Sequence, residues 1–451
     1  MALFQDLLAA IWNALFLRRH SAGLRLGFQV RDGLVSRQVV AIPHHLRPEH
    51  IAILGKTGTG KSSLLRYLMS QDISALRGFV CIDLHGDLTP FVLSTIARKE
   101  RDTGLDLSSR LLLIDPSDPK YSVALNLLEC ENGQLRAVQI SEMVSLLRLR
   151  WGLEHFGART EELLRNSLWL LSENKLTLLE LAPLLTNSQY RRSLLRGVTN
   201  QEVRRFFEER YNRASEAMQA VMREPVLNKL SAFTVDSSIR HIVGQSRSSF
   251  SLRHAIDQKF WILLNLQKSS LGDNALTFAG LFLSKLKNAI FSRVNKTLFS
   301  VYADELPNLV AADAAFLTLL SEARKFRISI VSANQFLNQF SPAMKSALFS
   351  VGTGLCFQLS AEDAPFMARL LDGEKSLSRR LITLPHRRLI SRFGEYLEEI
   401  AVPEVSSPKC SFSDLTKRSI RRFGRLRGEI ENEINARKPS DKAESSLDEW
   451  E

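Results

Sequence analysis

The sequence predicts an α/β protein with a central, mainly parallel β-sheet and an all-helical domain inserted into it. Apolar runs that stop at polar turns alternate with helical segments in residues 21–132, and the alternation resumes in residues 236–402. Between these stretches, residues 133–235 carry long amphipathic segments that few β-branched runs interrupt. The 451 residues suffice for two or three domains, and the 45% apolar content suits a globular core.

The first 20 residues, MALFQDLLAAIWNALFLRRH, have the apolar periodicity of one amphipathic helix. Asp6 interrupts the apolar run and no small-residue cleavage site follows, which argues against a signal peptide. The chain has no run of about 18 apolar residues, so no membrane-spanning helix is predicted. The helix either packs on its own domain or a partner subunit, or makes a peripheral membrane contact through residues 3–19.

Several strands are predicted before residue 133. Two short ones, LRLGFQV and RQVVAI, flank the turn RDG. The buried strand HIAIL leads into a glycine-rich loop, and SSLLRYLMSQDI then has helical periodicity. Two more runs, GFVCIDLHGD and LDLSSRLLLIDPSDP, each contain an apolar strand that ends at a polar turn. Strands and helices in this order, with polar groups at the carboxyl ends of the strands, are typical of a parallel α/β sheet.

The second half resumes this pattern with four strand candidates, KFWILLNLQ, LFSVYADELPN, FRISIVSANQ and GTGLCFQLS. The sheet is therefore predicted to be interrupted by the helical domain and completed after it. Residues 403–451 are predicted to form a polar, basic tail whose end has the composition of a disordered segment. Within this tail, residues 417–427 hold six basic residues and no acidic one, which is compatible either with phosphate contacts or with a solvated helix.

Charge and cysteine usage narrow the class of protein. Sixty Lys and Arg against 48 Asp and Glu give a formal net charge of +12, which favours a nucleic acid or an acidic membrane face as partner. The four cysteines lie far apart, and no pair has the spacing of a zinc or redox motif. We expect reduced, mostly buried thiols in a cytoplasmic protein.

The segment GKTGTGKS, residues 55–62, fits the phosphate-loop pattern G-x-x-x-x-G-K-[ST] between a predicted strand and a predicted helix. Glycines let backbone N–H groups turn inward around phosphates, and the helix N-terminus adds a positive field. Lys61 is expected to reach the β- and γ-phosphates, and the Ser62 hydroxyl to ligate Mg²⁺. The predicted nucleotide contacts are Gly55, Lys56, Thr57, Gly58, Thr59, Gly60, Lys61, Ser62 and Ser63.

A carboxylate pair, Asp304-Glu305, ends the apolar strand of TLFSVYADELPN. Beside a phosphate loop, Asp304 is expected to hold the Mg²⁺ shell and Glu305 to polarise the attacking water. The pair therefore indicates hydrolysis rather than phosphoryl transfer to a metabolite. The alternative is a solvated turn before Pro307.

Two further features are ambiguous in isolation. The strand ISIVSANQ ends at Asn334 and Gln335, and Gln335 is expected to hydrogen-bond the γ-phosphate or water unless it is an ordinary cap. In SEARKF, Arg324 and Lys325 are either surface cations or the source of an arginine finger that enters a neighbouring subunit's site.

The loop CIDLHGD places Asp83, His85 and Asp87 together at the carboxyl edge of the sheet. No further ligand cluster accompanies them, so a hydrogen-bonded turn is favoured over a metal site. The sequence contains neither an LSGGQ-like signature nor a base-specificity motif of the N-K-x-D type. These two absences favour a RecA-like ATPase with ATP and Mg²⁺ as its cofactors.

The order of these motifs resembles that of the conjugative coupling proteins of type IV secretion, in the FtsK–HerA group of DNA-pumping ATPases. The resemblance covers roughly residues 45–400 and includes RTEELLRNSLWLL and EDAPFMARLL besides the motifs above. It implies a RecA-like motor with a helical insertion, assembled as a homo-hexameric ring that hydrolyses ATP and drives single- or double-stranded DNA through its centre. It also implies a relaxase and type IV secretion channel components as partners, and a position at the cytoplasmic face of the inner membrane.

By position, the resemblance implies that Lys61 and Ser62 bind phosphate and Mg²⁺, and that Gln335 is the sensor. It implies that Asp304 and Glu305 form the second Walker pair, and that Arg324 is the finger acting in trans. Two departures stand out: the chain lacks the transmembrane helices with which membrane-bound relatives begin, and Gln358 stands where relatives often have Arg.

Two other functions stay open at this point. One is a HerA-like ATPase in DNA-end processing or phage defence, for which a nuclease would be a separate partner because the chain has no nuclease motif. The other is a scaffold that binds ATP and assembles without sustained translocation. The intact residues Lys61, Asp304 and Glu305 argue against the scaffold.

Overall fold

The computed structural model describes residues 23–130, 133–152, 157–305, 314–371, 375–393 and 396–438. The predicted helix in residues 1–20 and the end of the predicted tail, residues 439–451, lie outside these ranges. Within these ranges, no helix combines the length and the apolar character that crossing a membrane requires.

A sheet of 11 strands forms the centre of the fold, in the order β2-β1-β12-β11-β10-β3-β9-β8-β4-β7-β5. The strands in chain order are β1 (Gly23–Arg31), β2 (Leu34–Pro43), β3 (Ile51–Leu54), β4 (Phe79–Asp83), β5 (Leu111–Ile114), β6 (Tyr121–Val123), β7 (Trp261–Asn265), β8 (Phe299–Asp304), β9 (Ile328–Asn334), β10 (Thr353–Cys356), β11 (Arg388–Phe393), β12 (Tyr396–Ala401) and β13 (Gly424–Leu426). Each strand predicted from the sequence appears in this set.

The middle of the sheet is parallel, from β10 through β3, β9, β8 and β4 to β7. Every residue of β4, β7, β8 and β9 is buried, as expected for strands covered on both faces. The predicted fold class, a mainly parallel sheet of the RecA-like P-loop type with substantial helical content, is confirmed.

Four antiparallel strands extend the sheet beyond β10. β11 pairs with β10 and β12, and β12 pairs with β1, where Phe28 lies opposite Ala401. β2 completes this end as a hairpin partner of β1. β1 and β2 are among the strands predicted from the sequence, whereas β11 and β12 are not.

The α-helices are Lys61–Ser74, Leu88–Thr103, Gly133–Arg150, Gly157–Glu173, Leu181–Thr186, Ser188–Leu195, Gln201–Arg205, Glu216–Thr234, Ser237–Val243, Leu252–Asp257, Lys268–Leu271, Asp273–Phe291, Ala314–Glu322, Pro342–Phe349, Asp363–Leu370, Lys375–Thr383, Ser413–Phe423 and Arg427–Ala436. The first two bury apolar side chains such as Leu64, Leu68 and Phe91 against the sheet. Along each of these two helices, the buried apolar side chains recur every three to four residues, which is the spacing of an amphipathic helix.

The chain divides into two compact units. The first comprises the described residues up to Leu113, Leu252–Leu276 and Ala289–Ser419, and contains the large sheet. The second comprises Ile114–Ser251, Thr277–Asn288 and the described residues from Ile420 onward. The helices between residues 133 and 243 belong to the second unit, in which β6 and β13 form a small antiparallel pair.

A buried ion pair fixes the helix that follows the phosphate loop. Arg47 donates from both terminal nitrogens to the Asp72 carboxylate at 2.7 Å, and both side chains are 0% exposed. From β8, the Tyr302 hydroxyl donates to Asp72 at 2.7 Å, and Arg47 also donates to the Ser300 hydroxyl at 2.8 Å. The network therefore connects the helix Lys61–Ser74 with the strand that ends at Asp304.

Residues 413–438, which the sequence assigns to a polar tail, form two helices and β13. In the basic segment 417–427, Arg418 pairs with Glu100 and Asp106, and Arg425 pairs with Glu433 at 2.6 Å. These two arginines are therefore bound to carboxylates of the same chain.

Candidate active site

A cleft of about 390 Å³ opens at the carboxyl ends of the parallel strands β3, β9, β8 and β4. Its lining comes from five separate stretches of the chain: Thr57, Gly58, Gly60, Lys61, Ser62, Ser63, His85, Asp304, Glu305, Gln335 and His386. Parallel strands present their carboxyl ends on one edge of the sheet, which explains why motifs so distant in sequence converge.

The glycine-rich loop connects β3 to the helix that begins at Lys61. Gly60 has a φ of +115°, in the region that favours glycine. At Gly55, a Cβ would lie 2.6 Å from the Cβ of Phe357, so only glycine fits without a shift of the neighbouring chain. The Lys61 ammonium donates to the Gly55 carbonyl at 2.6 Å and to the Lys56 carbonyl at 2.8 Å. Burial lowers the pKa of Lys61, and the carboxylates of Asp304 and Glu305 oppose part of that effect.

Asp304 and Glu305 lie at the end of β8, facing Lys61 across the cleft. Burial and the nearby charge of Asp87 raise the pKa of Asp304 to about 6, although His85 and Lys61 oppose the shift. A cation bound at this position would favour the ionised carboxylate. Glu305 has a φ of +56°, a left-handed conformation that is uncommon for a side chain of this size, and its N–H donates to the Ala333 carbonyl at 2.9 Å.

Hydrogen bonds link side chains from four strand ends across the cleft. The Thr57 hydroxyl donates to the Gln335 carbonyl oxygen at 2.9 Å. The Gln335 amide nitrogen donates to Glu305 Oε1, and His85 Nε2 lies 3.1 Å from the same oxygen. Thr57, which is predicted as a nucleotide contact, therefore also takes part in this chain of bonds through its side chain.

The loop after β4 is a hydrogen-bonded turn built around Asp83. The Asp83 carboxylate accepts bonds from the backbone N–H groups of His85, Gly86, Leu88 and Thr89, at 2.7 to 3.3 Å. The prediction of a hydrogen-bonded turn is confirmed. Over the ranges that the structure describes, no group of three or more histidine, cysteine or acidic side chains could hold a metal ion by itself.

The segment before β11 also lies against the phosphate loop. Arg387 N–H donates to the Thr59 carbonyl at 2.9 Å, His386 lines the cleft, and the Lys56 N–H donates to the Gln358 carbonyl at 2.9 Å. Sequence reasoning missed His386 and Arg387 because no local pattern marks them. Gln358 itself uses its side-chain amide to bind the Ile382 carbonyl at 2.9 Å.

Arg324 is not part of this cleft. It lies in the short 3₁₀ turn that precedes β9, whereas Gln335 follows the other end of that strand. Its side chain is 67% exposed and pairs with Glu49 at 2.9 Å. Within one chain, the structure therefore brings together Lys61, Ser62, Asp304, Glu305 and Gln335 but not Arg324.

Together these groups suit a nucleoside triphosphate with Mg²⁺. Inward-facing loop N–H groups and a lysine are the usual partners of phosphate oxygens, and a hydroxyl with a carboxylate suits Mg²⁺. The fold and the phosphate loop therefore define the class of protein, a RecA-like P-loop NTPase.

Comparison with known families identifies the family to which the chain belongs. The family described as "Helicase HerA, central domain" matches residues 43–278, slightly more than half of the chain. The chain belongs to this family, and the predicted resemblance to the FtsK–HerA group is confirmed. No curated protein sequence matches the chain.

Solved structures share the fold at low identity. The conjugative coupling protein TrwBΔN70 in its unbound form is 17% identical, with a TM-score of 0.57 over 82% of this chain and 88% of that chain. TrwB in complex with ADP and Mg²⁺ is 18% identical, with a TM-score of 0.56 over 85% and 95%. VirB4 of Thermoanaerobacter pseudethanolicus is 15% identical, with a TM-score of 0.56 over 85% and 97%. The ADP and Mg²⁺ of the second structure agree with the predicted cofactors.

Proposed function

We propose that the protein is an Mg²⁺-dependent ATPase that drives DNA translocation as a homo-hexameric ring, in the manner of conjugative coupling proteins. The observation that carries the proposal is the convergence of Lys61, Ser62, Asp304, Glu305 and Gln335 on one cleft. Membership of the HerA family, the shared fold of coupling proteins and the net charge of +12 support a DNA-handling role.

In the proposed reaction the residues of the cleft bind ATP, orient its phosphates and activate the attacking water. Loop N–H groups and Lys61 hold the β- and γ-phosphates of ATP, while Ser62 and Asp304 hold Mg²⁺. The bound cation would neutralise charge on the phosphate oxygens. Glu305 accepts a hydrogen bond from the attacking water and directs it at the γ-phosphate. Gln335 contacts both Glu305 and Thr57, so it is placed to report a change at the phosphates to β9.

Three subsidiary proposals concern assembly and domain organisation. Arg324 acts in trans, on the site of a neighbouring subunit, which fits its position before the amino end of β9 and its exposed side chain. The motor comprises residues 21–132 and 236–402, and the helical segment 133–235 is a domain inserted into it. Residues 3–19 contact a membrane face or a partner such as a relaxase or a secretion-channel component.

ATPase assays with two variants test the proposed function. Glu305→Gln should lower kcat by about 100-fold or more while retaining nucleotide binding, because the water loses its general base. Lys61→Ala should weaken ATP binding itself. In the assembled wild type, DNA should stimulate hydrolysis, and raising salt should weaken DNA binding. A wild-type rate indifferent to DNA would contradict translocation and favour the ATP-binding scaffold.

Mixing variants tests the role of Arg324. An Arg324→Ala subunit keeps its own cleft intact but lacks the arginine finger. A Glu305→Gln subunit keeps the arginine finger but lacks the general base of its own cleft. If Arg324 acts in trans, mixed rings should regain activity that neither variant has alone. Mixed rings that stay inactive would contradict that role. A HerA-like function in DNA-end processing, which the family match also supports, predicts that a separate nuclease co-purifies with the ring.

A further inference from the structure

His85 belongs to the cleft but has no part in the reaction as described so far. It follows β4, within the turn that Asp83 holds through four backbone N–H bonds. One of those bonds comes from the N–H of His85 itself, at 3.3 Å. The turn therefore fixes the backbone from which the imidazole projects, even though the side chain is 51% exposed.

The imidazole contacts one catalytic group, the carboxylate of Glu305. His85 Nε2 lies 3.1 Å from Glu305 Oε1, and the Gln335 amide donates to the same oxygen. The Glu305 side chain is only 17% exposed, and its backbone has a left-handed φ of +56°. A conformation of this kind persists when surrounding contacts hold it, and His85 and Gln335 supply two of these contacts from different strands.

We propose that His85 is a positioning residue for ATP hydrolysis, which holds the Glu305 carboxylate in the orientation that activates water. The inference rests on the proposed ATPase function of the same cleft. Two donors on one carboxylate oxygen restrict rotation of the carboxylate plane, so the base does not swing away from the γ-phosphate position. His85 acts through Glu305 and makes no contact with nucleotide in this role.

The electrostatic surroundings favour this contact. Burial alone would lower the pKa of His85, but Glu305, Asp304 and Asp87 outweigh it, so the net pKa is raised. A protonated imidazole donates a charge-assisted hydrogen bond, which is shorter and stronger than a neutral one. The other titratable groups of the cleft are Lys61 and His386.

The test compares His85→Ala with His85→Gln, since a glutamine amide nitrogen occupies nearly the position of Nε2 and still donates. His85→Ala should lower kcat by about 10- to 100-fold, the effect of losing a hydrogen bond to a charged group. KM and the Kd for a fluorescent ATP analogue should stay within about 2-fold of wild type, because the phosphate contacts are intact. His85→Gln should restore kcat to within a few-fold of wild type. The exposed His45 serves as matched control, and His45→Ala should leave all three constants unchanged.

A double-mutant cycle separates positioning from general damage. If His85 acts only through Glu305, adding His85→Ala to Glu305→Gln should lower kcat no further. A further loss of the same size in both backgrounds would overturn the proposal, as would equal activity of wild type and His85→Ala. Failure of the proposed function would look different, because the wild type itself would then lack ATPase activity.

Discussion

Replacing Asp72 with asparagine tests the buried network beneath the phosphate loop. The substitution keeps the shape of the side chain but removes the counter-ion of Arg47, and both groups are fully buried. A carboxylate that accepts two bonds of 2.7 Å from Arg47 and one from Tyr302 becomes a neutral amide whose NH₂ group faces other donors. Breaking a buried pair from one side costs about 3–5 kcal/mol of folding free energy.

Urea denaturation followed by circular dichroism measures the loss. The double variant Arg47→Met, Asp72→Leu removes both charges together and should be less destabilised than Asp72→Asn, by an amount reduced because Tyr302 and Arg77 also lose Asp72 as their partner. Asp102, whose ion pair with Arg98 is exposed, provides the control, and Asp102→Asn should cost no more than about 1 kcal/mol. A loss below about 1 kcal/mol for Asp72→Asn, or a double variant no more stable than the single one, would refute the reasoning.

Two further predictions concern buried titratable groups. Burial lowers the pKa of His50 to about 4, below its usual value near 6.5, so the unfolded chain binds more protons between these values. The contribution of His50 to the free energy of unfolding, at most about 3 kcal/mol, is present above pH 6.5 and lost as the pH falls to 4. His50→Gln should therefore flatten the dependence of the urea midpoint on pH between these two values. An unchanged dependence would contradict this prediction. Burial also raises the pKa of Cys356 to about 12 and that of Cys81 well above its usual range. A thiol reagent should therefore label Cys130 and Cys410 in the native protein and all four cysteines in urea. Rapid labelling of all four in the native protein would contradict this.

The sequence predicted the middle of the fold well because local signals mark it. Buried parallel strands are continuous apolar runs, and β8 and β9 end at the polar residues Asp304 and Asn334, the second followed directly by Gln335. The rule that these ends meet at one edge then groups the motifs without knowledge of strand order. The phosphate loop adds a pattern with a direct physical reason at each glycine.

Long-range pairings could not be predicted in the same way. β12 lies beside β1 although about 370 residues separate Phe28 from Ala401, and no local feature specifies that pairing. The contact of His85 with Glu305 depends likewise on strand order and on the left-handed φ of Glu305. Arg47 stands among polar residues in the sequence, so nothing local indicates that it is fully buried.

The position of β3 also constrains how the protein is made. Ile51 pairs with Val331 on one side and with Thr353 on the other, so the phosphate-loop strand gains both neighbours only after residue 356 has been synthesised. At about 5–20 residues per second, a ribosome takes about 15 s or longer to synthesise the residues between the phosphate loop and residue 356. During this interval the nascent chain carries the complete GKTGTGKS sequence without the sheet edge that shapes it. Nucleotide binding therefore requires a chain that extends at least to residue 356, and fragments released earlier would present apolar strands to chaperones instead.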